Sequence, residues 1–197
     1  MADDKANEPP GSFEHIPIRV DLLPYNARLH VRSETRIDLV VIHCTELPDL
    51  ATARKYGERI HYVDSATGNS GHFYIDRDGH IEQWVDLDRI ANHTHGFNSR
   101  SLGIELVNLG RFPDWLASTS QIMEEPYRPA QIRALQRLLQ ALRANIPTLE
   151  YIAGHAALDT RLVPATDNPA IAVHRKLDPG PLFPWDEILV NDYWQSP

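Results

Sequence analysis

The amino-acid sequence predicts an α/β protein: a single domain in which helices flank a central mixed β-sheet. Two observations indicate this class. Apolar runs with the composition of strands alternate along the chain with segments of helical periodicity, as they do when helices cover the faces of a sheet. One pair of strand-like runs is joined by a tight turn, so two strands must be antiparallel and the sheet is mixed.

The first half of the chain contains three predicted elements. Residues 37–43 (IDLVVIH) are almost continuously apolar and rich in β-branched residues, which predicts a buried strand. A helix of moderate amphipathicity follows, with Asp49 as its N-cap. Residues 72–86 (HFYIDRDGHIEQWVD) predict a hairpin, because the Asp78-Gly79 pair favours a tight turn between strand-like residues.

The second half repeats this alternation. Residues 101–108 (SLGIELVN) predict a strand, and 112–128 lack a clear period and predict a long loop. The strongest helix begins near Pro129, after which apolar residues recur at steps of three and four. Residues 149–155 (LEYIAGH) predict a short strand that ends in Gly-His.

Proline content and periodicity divide the chain into three parts. Residues 1–35 contain four prolines and no helical period, so we expect an extended N-terminal arm. The folded domain is expected to span 36–190, and 191–197 to form a C-terminal tail.

Composition excludes several classes of protein. The 197 residues carry a formal net charge of −8, which argues against a general nucleic-acid binder. No apolar run is long enough to span a bilayer, so no transmembrane segment is expected. The acidic, Pro-rich start has no apolar signal core, and we expect a cytoplasmic protein, or a periplasmic one if a leader was removed. Cys44 is the single cysteine, so no internal disulfide can form.

Three candidate metal ligands lie at the ends of predicted elements. His43 ends the first strand, and His155 follows Gly154 at the end of the last. Asp178 begins a turn fixed by Pro-Gly-Pro at 179–181. Two imidazoles and one carboxylate form a ligand set that suits zinc. Each histidine taken alone is better explained by a hydrogen-bonded core position, and the spacing does not separate these interpretations.

Two further residues could take part in chemistry. Glu105 lies between Ile104 and Leu106 and therefore points to the opposite face of its strand. It points to solvent if that face is exposed, and it is a candidate general base if that face lines a cleft. Lys176 is either an exposed surface lysine or a fixed cation that stabilises charge developing in a transition state.

The motifs VIHCT, HFYIDRDG, SLGIEL, AGH and RKLDPGPLFPW occur in this order. Together they resemble the zinc-dependent N-acetylmuramoyl-L-alanine amidases, which share their fold with the peptidoglycan recognition proteins. The resemblance runs from about Ile37 to Trp185, and its last motif is the most specific. It implies that the chain, with one zinc ion, hydrolyses the amide between N-acetylmuramic acid and L-alanine in peptidoglycan or muropeptides.

By position, the resemblance implies that His43, His155 and Asp178 hold the zinc ion. It also implies that Glu105 is the catalytic glutamate and that Lys176 assists it. A non-catalytic peptidoglycan-binding module is the alternative from another class, but such proteins lack the metal ligands that are present here. An amidase that acts on a different amide is a third possibility.

Several other positions carry expectations. Asn98 and Arg100 are candidate substrate contacts on the loop before the strand that contains Glu105. His93 or His95 is expected to line the cleft without binding metal, at a place where the family often has Trp before a histidine. His72 is expected to be structural. Cys44 is expected to pack beside the first ligand and not to act as a nucleophile, because no activating partner is evident.

The connection at 156–175 is longer than its counterpart in the family. Because it lies between two candidate ligands, we expect a loop folded over or beside the cleft, where it could shape the choice of substrate. A surface insertion without consequence is equally consistent with its sequence. His174 lies within this connection and is not expected to bind metal.

Overall fold

A six-stranded mixed β-sheet forms the centre of the computed structural model, which describes residues 16–189. Its strands are β1 (Ile18–Val20), β2 (Leu39–Cys44), β3 (Phe73–Ile75), β4 (Ile81–Gln83), β5 (Ser101–Leu106) and β6 (Tyr151–Gly154). They lie in the order β1-β4-β3-β5-β2-β6. The β3–β4 pair is antiparallel and the other pairs are parallel, so the predicted mixed sheet is confirmed.

The register of the central strands determines where the site forms. In the parallel pair of β2 and β5, His43 lies opposite Glu105. The pairing of β2 with β6 ends at Ile42 and Gly154, so His155 follows directly after the paired residues. Because parallel strands end at the same edge of a sheet, all three side chains are brought to one edge.

Helix α2 (Pro129–Asn145) covers one face of this sheet. Pro129 is at the start of the helix, where its missing N–H costs no hydrogen bond. The apolar residues of one helical stripe are buried against the strands; they are Ile132, Leu135, Leu138, Leu139 and Leu142. The predicted helix is therefore confirmed, and its packing explains why Ile42 and Ile104 are fully buried.

Helix α1 (Leu50–Gly57) packs over the opposite face, with Ala53 in a cluster that includes Tyr74 of β3. Asp49 caps it as predicted, since its carboxylate accepts a hydrogen bond from the Thr52 N–H at 2.6 Å. The helix ends at Gly57. Ile60 lies beyond it and is 48% exposed.

The predicted hairpin is formed by β3 and β4. Gly79 has a φ of +90°, a conformation that favours glycine. Asp78 accepts a hydrogen bond from the His80 N–H at 2.9 Å, and the Gly79 N–H donates to the Asp76 carbonyl at the same distance. The local turn chemistry of these residues is therefore sufficient to set the hairpin.

The N-terminal boundary of the domain differs from the prediction. Part of the expected arm belongs to the fold, because β1 adds to the edge of the sheet beside β4. Leu23, Tyr25 and Leu29 are buried in the cluster around α1. The sequence does not reveal this packing, because the prolines divide the segment into stretches too short to show a periodic pattern of apolar residues. Residues 1–15 of the arm and the predicted tail at 191–197 lie outside the described residues.

The connection at 156–175 is not a plain loop. It contains a short helix, α3 (His155–Leu158), and a hairpin of β7 (Leu162–Pro164) and β8 (Ala172–His174). Three-residue strands are too short to show a period of two in the sequence. The tip of this hairpin is fixed to the 112–128 loop, where Asp167 accepts a hydrogen bond from the Ser118 N–H at 2.6 Å.

The last described helix is α4 (Trp185–Ile188), which adds Ile188 to the core beside α2. The 112–128 segment is mostly irregular, as predicted, with one 3-10 turn at Ser118–Ser120. Across residues 16–189, none of the helices combines the length and the apolar character that crossing a bilayer requires.

We expect the α2 interface to dominate stability. Leu135→Ala removes a fully buried side chain and should lower the free energy of unfolding by about 2–5 kcal/mol. Arg137→Ala on the exposed face of the same helix is the matched control and should change it by less than about 0.5 kcal/mol. Urea denaturation measures both. Equal losses in the two variants would contradict this packing.

Candidate active site

His43, His155 and Asp178 converge at the edge of the sheet where β2, β5 and β6 end. The Nδ1 atoms of His43 and His155 lie 2.9 Å and 3.1 Å from the same Asp178 oxygen, Oδ2. One ligand atom from each residue lies within 4.8 Å of the others, and all three side chains are buried. In residues 16–189 this is the one group of such residues close enough to share a metal ion.

Two features show that this group fits a metal ion. The second carboxylate oxygen of Asp178, Oδ1, is buried and has no hydrogen-bond partner among the described residues. Burial of a carboxylate oxygen without a partner is costly, and a cation would relieve that cost. Burial also lowers the pKa of His43 to about 4, although the hydrogen bond to Asp178 opposes this shift, and so favours the neutral imidazole that binds metals.

Asp178 stays ionised in this setting. Burial alone raises its pKa, but the Lys176 charge and the hydrogen bonds from His155 and His43 outweigh burial, and the pKa lies well below its usual range. The group therefore offers one negative charge and two imidazole nitrogens. These are ligand types that zinc accepts.

Hydrogen bonds and close packing fix the main chain around Asp178. The Ala156 N–H donates to the Asp178 carbonyl at 2.9 Å, and the Tyr127 hydroxyl donates to the Pro179 carbonyl at 2.6 Å. A Cβ at Gly154 would lie 2.7 Å from Pro179, so only glycine allows this approach. Close packing of the turn against the end of β6 therefore brings Asp178 to His155.

Glu105 faces the cleft, because Ile104 and Leu106 on either side of it are fully buried in the core. Its side chain is 15% exposed, and its Oε1 atom lies 3.9 Å from His43 Nδ1. Burial raises the pKa of Glu105 well above its usual range, the Asp178 charge adds to this, and the Lys176 cation opposes it. A carboxyl with a raised pKa can both accept and donate a proton near neutral pH.

Lys176 lines the same cleft as Asp178 and Glu105. It is half-buried, and its charge favours the ionised form of both carboxyl groups. Lys176 and Asp178 are two residues apart in an irregular segment, and both side chains line the cleft. The structure thus brings together all five residues that the sequence singled out for metal binding and catalysis.

The cleft has a volume of about 510 Å³ and is open to solvent above these residues. Its outer wall is lined mainly by aromatic and polar side chains, among them Tyr56, Tyr62, Asn69, His95 and Trp115. An open cleft of this kind can admit one end of a large polar substrate.

Comparison with known families gives a match over residues 33–181 to N-acetylmuramoyl-L-alanine amidase. The chain belongs to this family. Among curated relatives, the amidase AmiD of Escherichia coli K12 is 37% identical over 92 residues, which is 46% of this chain and 27% of AmiD. The endolysin of Enterobacteria phage K11 is 33% identical over 84 residues, 43% of this chain and 51% of the endolysin. The matched part thus spans less than two thirds of either relative.

Solved structures confirm the fold class. The amidase LysC from Clostridium intestinale has a TM-score of 0.64 at 21% identity, covering 90% of this chain and 98% of LysC. AmiD from E. coli, in complex with anhydro-N-acetylmuramic acid-L-Ala-D-γ-Glu-L-Lys, has a TM-score of 0.60 at 24% identity, with 81% and 59% covered. A complex of two peptidoglycan recognition protein ectodomains has a TM-score of 0.57 at 20% identity, with 85% and 89% covered. The expected amidase and recognition-protein fold is therefore confirmed for this family member.

His93 lies behind the first ligand. Its Nδ1 atom is 3.0 Å from His43 Nε2, and its Nε2 atom is 3.2 Å from the Ser101 hydroxyl. A Cβ at Gly103 would lie 2.8 Å from the His93 ring, so this glycine makes room for the imidazole. His93 and His95 both line the cleft, and neither belongs to the ligand group.

Asn98 and Arg100 were predicted to contact the substrate. Asn98 is near the cleft, but its side-chain oxygen accepts hydrogen bonds from the N–H groups of His93 and Thr94 and so holds the loop itself. Arg100 forms a two-pronged ion pair with Asp38, with both contacts at 2.6 Å. The structure does not bring Arg100 to the site. Arg100 precedes the first residue of β5, whereas the site lies at the carboxyl end of that strand, roughly 17 Å away.

Sequence reasoning missed a buried ion pair beside the site, between Glu46 and Arg111. Both residues lie in irregular segments, where no periodicity reports burial, and the partner of a charged side chain cannot be read from one sequence. Cys44 is expected not to act as a nucleophile; it is buried, and burial raises the pKa of its thiol, which agrees with that expectation.

His72 is structural, as expected. It is fully buried, and its Nδ1 atom accepts a hydrogen bond from the Gly103 N–H at 3.0 Å. Its Nε2 atom lies 3.1 Å from the Arg89 carbonyl and 2.9 Å from the Arg32 guanidinium. Burial and the nearby Arg32 charge lower the pKa of His72 to about 3.

This shift predicts a pH dependence of stability. Between pH about 6.5 and about 3 the unfolded chain binds a proton at His72 and the folded chain does not, so stability falls as the pH is lowered through this range. The contribution is at most about 1.4 kcal/mol per pH unit. In His72→Asn, the free energy of unfolding measured from pH 7 to 4 should therefore fall less steeply with decreasing pH than it does in wild type. His80→Asn at an exposed position is the control, and equal slopes in wild type and His72→Asn would contradict the assignment.

Proposed function

We propose that this chain is a zinc-dependent N-acetylmuramoyl-L-alanine amidase that hydrolyses the bond between N-acetylmuramic acid and L-alanine in peptidoglycan or muropeptides. The observation that carries the proposal is the convergence of His43, His155 and Asp178 around a buried, unpartnered carboxylate oxygen, with Glu105 and Lys176 beside it. Family membership supports the reaction class. The muropeptide bound to the related AmiD supports the substrate class.

His43, His155 and Asp178 would hold the ion, and a three-ligand set leaves a coordination position for substrate or water. Zinc supplies Lewis-acid chemistry when bound: it polarises a carbonyl and makes water more acidic. The remaining groups of the cleft stay free to contact the reacting atoms, since neither Glu105 nor Lys176 belongs to the ligand group.

Glu105 would act as general base and then as general acid. It would take a proton from the attacking water as the water oxygen bonds to the scissile carbonyl carbon. It would return that proton to the L-alanine nitrogen as the carbon–nitrogen bond breaks. Its raised pKa suits both steps, and Lys176 would stabilise the negative charge that develops on the carbonyl oxygen.

A non-catalytic peptidoglycan-binding module is the competing function, and the described residues disfavour it. A binding module has no need for a buried carboxylate with an unpartnered oxygen beside two imidazoles, which costs folding energy unless a cation compensates. Metal content and turnover separate the two functions.

Metal content is the first test. Purified protein reconstituted with zinc should hold about one ion per chain by elemental analysis. His155→Ala removes one of the three ligands and should lose the ion at equilibrium with a weak chelator. His174→Ala is the matched control, because His174 is an exposed histidine outside the ligand group. Full zinc retention in His155→Ala would refute the assigned ligand set.

Turnover is the second test. Zinc-loaded protein is incubated in parallel with intact sacculi and soluble muropeptides, and mass spectrometry should identify free L-alanine-terminated peptides. Glu105→Gln should keep zinc and lower kcat by roughly a hundred- to ten-thousand-fold, because it removes the proton acceptor. Glu124→Gln, at an exposed position, is the control. A Glu105→Gln enzyme with wild-type turnover would exclude the assigned base.

A further inference from the structure

A buried ion pair lies beside the candidate site and has no part in the chemistry described above. The side chains of Arg111 and Glu46 are only 1% and 8% exposed. They form a two-pronged pair, with Arg111 Nε 2.7 Å from Oε1 and Nη2 3.0 Å from Oε2 of Glu46. The desolvation of two buried charges often costs more free energy than their attraction returns. Stability alone therefore gives little reason for this pair, which indicates that it has another role.

The Arg111 guanidinium also binds the main chain that leads into the site. Its Nη1 atom donates to the His174 carbonyl at 2.9 Å, and its Nη2 atom donates to the Arg175 carbonyl at 3.3 Å. These carbonyls belong to the two residues directly before Lys176. One side chain therefore sets the course of the backbone that presents both Lys176 and Asp178.

The contacts of Arg111 with Glu46 and with the two carbonyls are called the tether below. Glu46 connects the tether to β2, the strand that ends near His43. It lies three residues after His43, and its carbonyl accepts a hydrogen bond from the Trp115 indole at 2.9 Å. The tether thus joins the end of β2 to the segment at 174–178. Two of the candidate ligands, His43 and Asp178, lie at its two ends.

The backbone at this point is shaped to accommodate the pair. Glu46 has a φ of +50°, a conformation that costs energy for a residue other than glycine. Gly110 has a φ of +52°, and a Cβ there would lie 2.6 Å from the Glu46 side chain. The strained backbone of Glu46 and the glycine required at residue 110 both indicate that the geometry of the Glu46–Arg111 contact is important.

We propose that Arg111, held by Glu46, is a positioning residue that sets the distance of Lys176 and Asp178 from His43 and Glu105. The role rests on the proposed function, since it gives these four side chains their importance. Arg111 and Glu46 border the cleft, but the Arg111 side chain is only 1% exposed and its guanidinium already donates to Glu46, Gln121 and the two carbonyls. It acts through two backbone carbonyls, and its loss changes metal affinity and turnover by allowing the 174–178 segment to move.

The test uses variants of the full chain that separate positioning from stability. Arg111→Met leaves Glu46 buried without its partner and is expected to be unstable. Glu46→Met/Arg111→Met removes both charges and should fold, because a buried pair replaced as a unit by apolar side chains is tolerated. Arg111→Lys keeps the charge but cannot reproduce the fork of donors to Glu46 and both carbonyls. Arg54→Met is the matched control, since Arg54 also binds a glutamate and two consecutive backbone carbonyls, at residues 21 and 22, away from the site.

Zinc affinity, measured by competition with a chromophoric chelator, is the first readout. The double variant and Arg111→Lys should bind zinc about 10- to 100-fold more weakly than wild type, as for other residues that orient metal ligands. With saturating zinc, kcat on a soluble muropeptide should fall by about the same factor, while KM changes less than threefold. Arg54→Met should match wild type in both measurements.

Two results would overturn the proposal. One is wild-type zinc affinity and kcat in the double variant or in Arg111→Lys, whichever is folded by circular dichroism. The other is an equal loss in Arg54→Met, which would show a general effect of stability. Because zinc affinity is measured without substrate, a wild-type protein that lacks amidase activity would refute the proposed function and still leave the positioning role open to measurement.

Discussion

Parallel pairing of β2 with both β5 and β6 is the constraint on which the candidate site depends. It fixes the ends of three strands at one edge, so that His43, Glu105 and His155 meet without any loop having to place them. Helix α2 on one face and α1 on the other bury the strands and hold their register. Only Lys176 and Asp178 come from irregular chain, and they need more support than the rest.

That support takes the form of many small contacts. Tyr127 and Ala156 hold the main chain at 178–179, Gly154 lets Pro179 approach, and Arg111 binds the carbonyls just before Lys176. The same dry surroundings shift the proton equilibria of the site: they favour neutral imidazole on His43 and raise the pKa of Glu105. Burial thus sets the protonation states of the site, and the hydrogen bonds and close packing at 174–179 set its geometry.

Much of this could be predicted from the sequence, for physical reasons. Strands β2 and β5 and helix α2 are long enough to show their periods, and the hairpin of β3 and β4 has explicit turn chemistry. Strands β1, β7 and β8 have three residues each and show no period, so the sequence predicts an arm in place of β1 and a loop in place of β7 and β8. Arg100 was misplaced because proximity in sequence to Glu105 does not reveal that a strand runs away from the site. The Glu46–Arg111 pair joins segments 65 residues apart and leaves no local pattern.

The order of the ligands along the chain has a consequence for assembly. His43 and Asp178 are 135 residues apart, and β2 pairs with strands that are made much later. Closing so long a stretch costs entropy that is recovered only when the last contacts form. The candidate ligand group is therefore complete only when both ends of the domain have met. An ion that bound only this finished arrangement would shift the folding equilibrium toward the native chain.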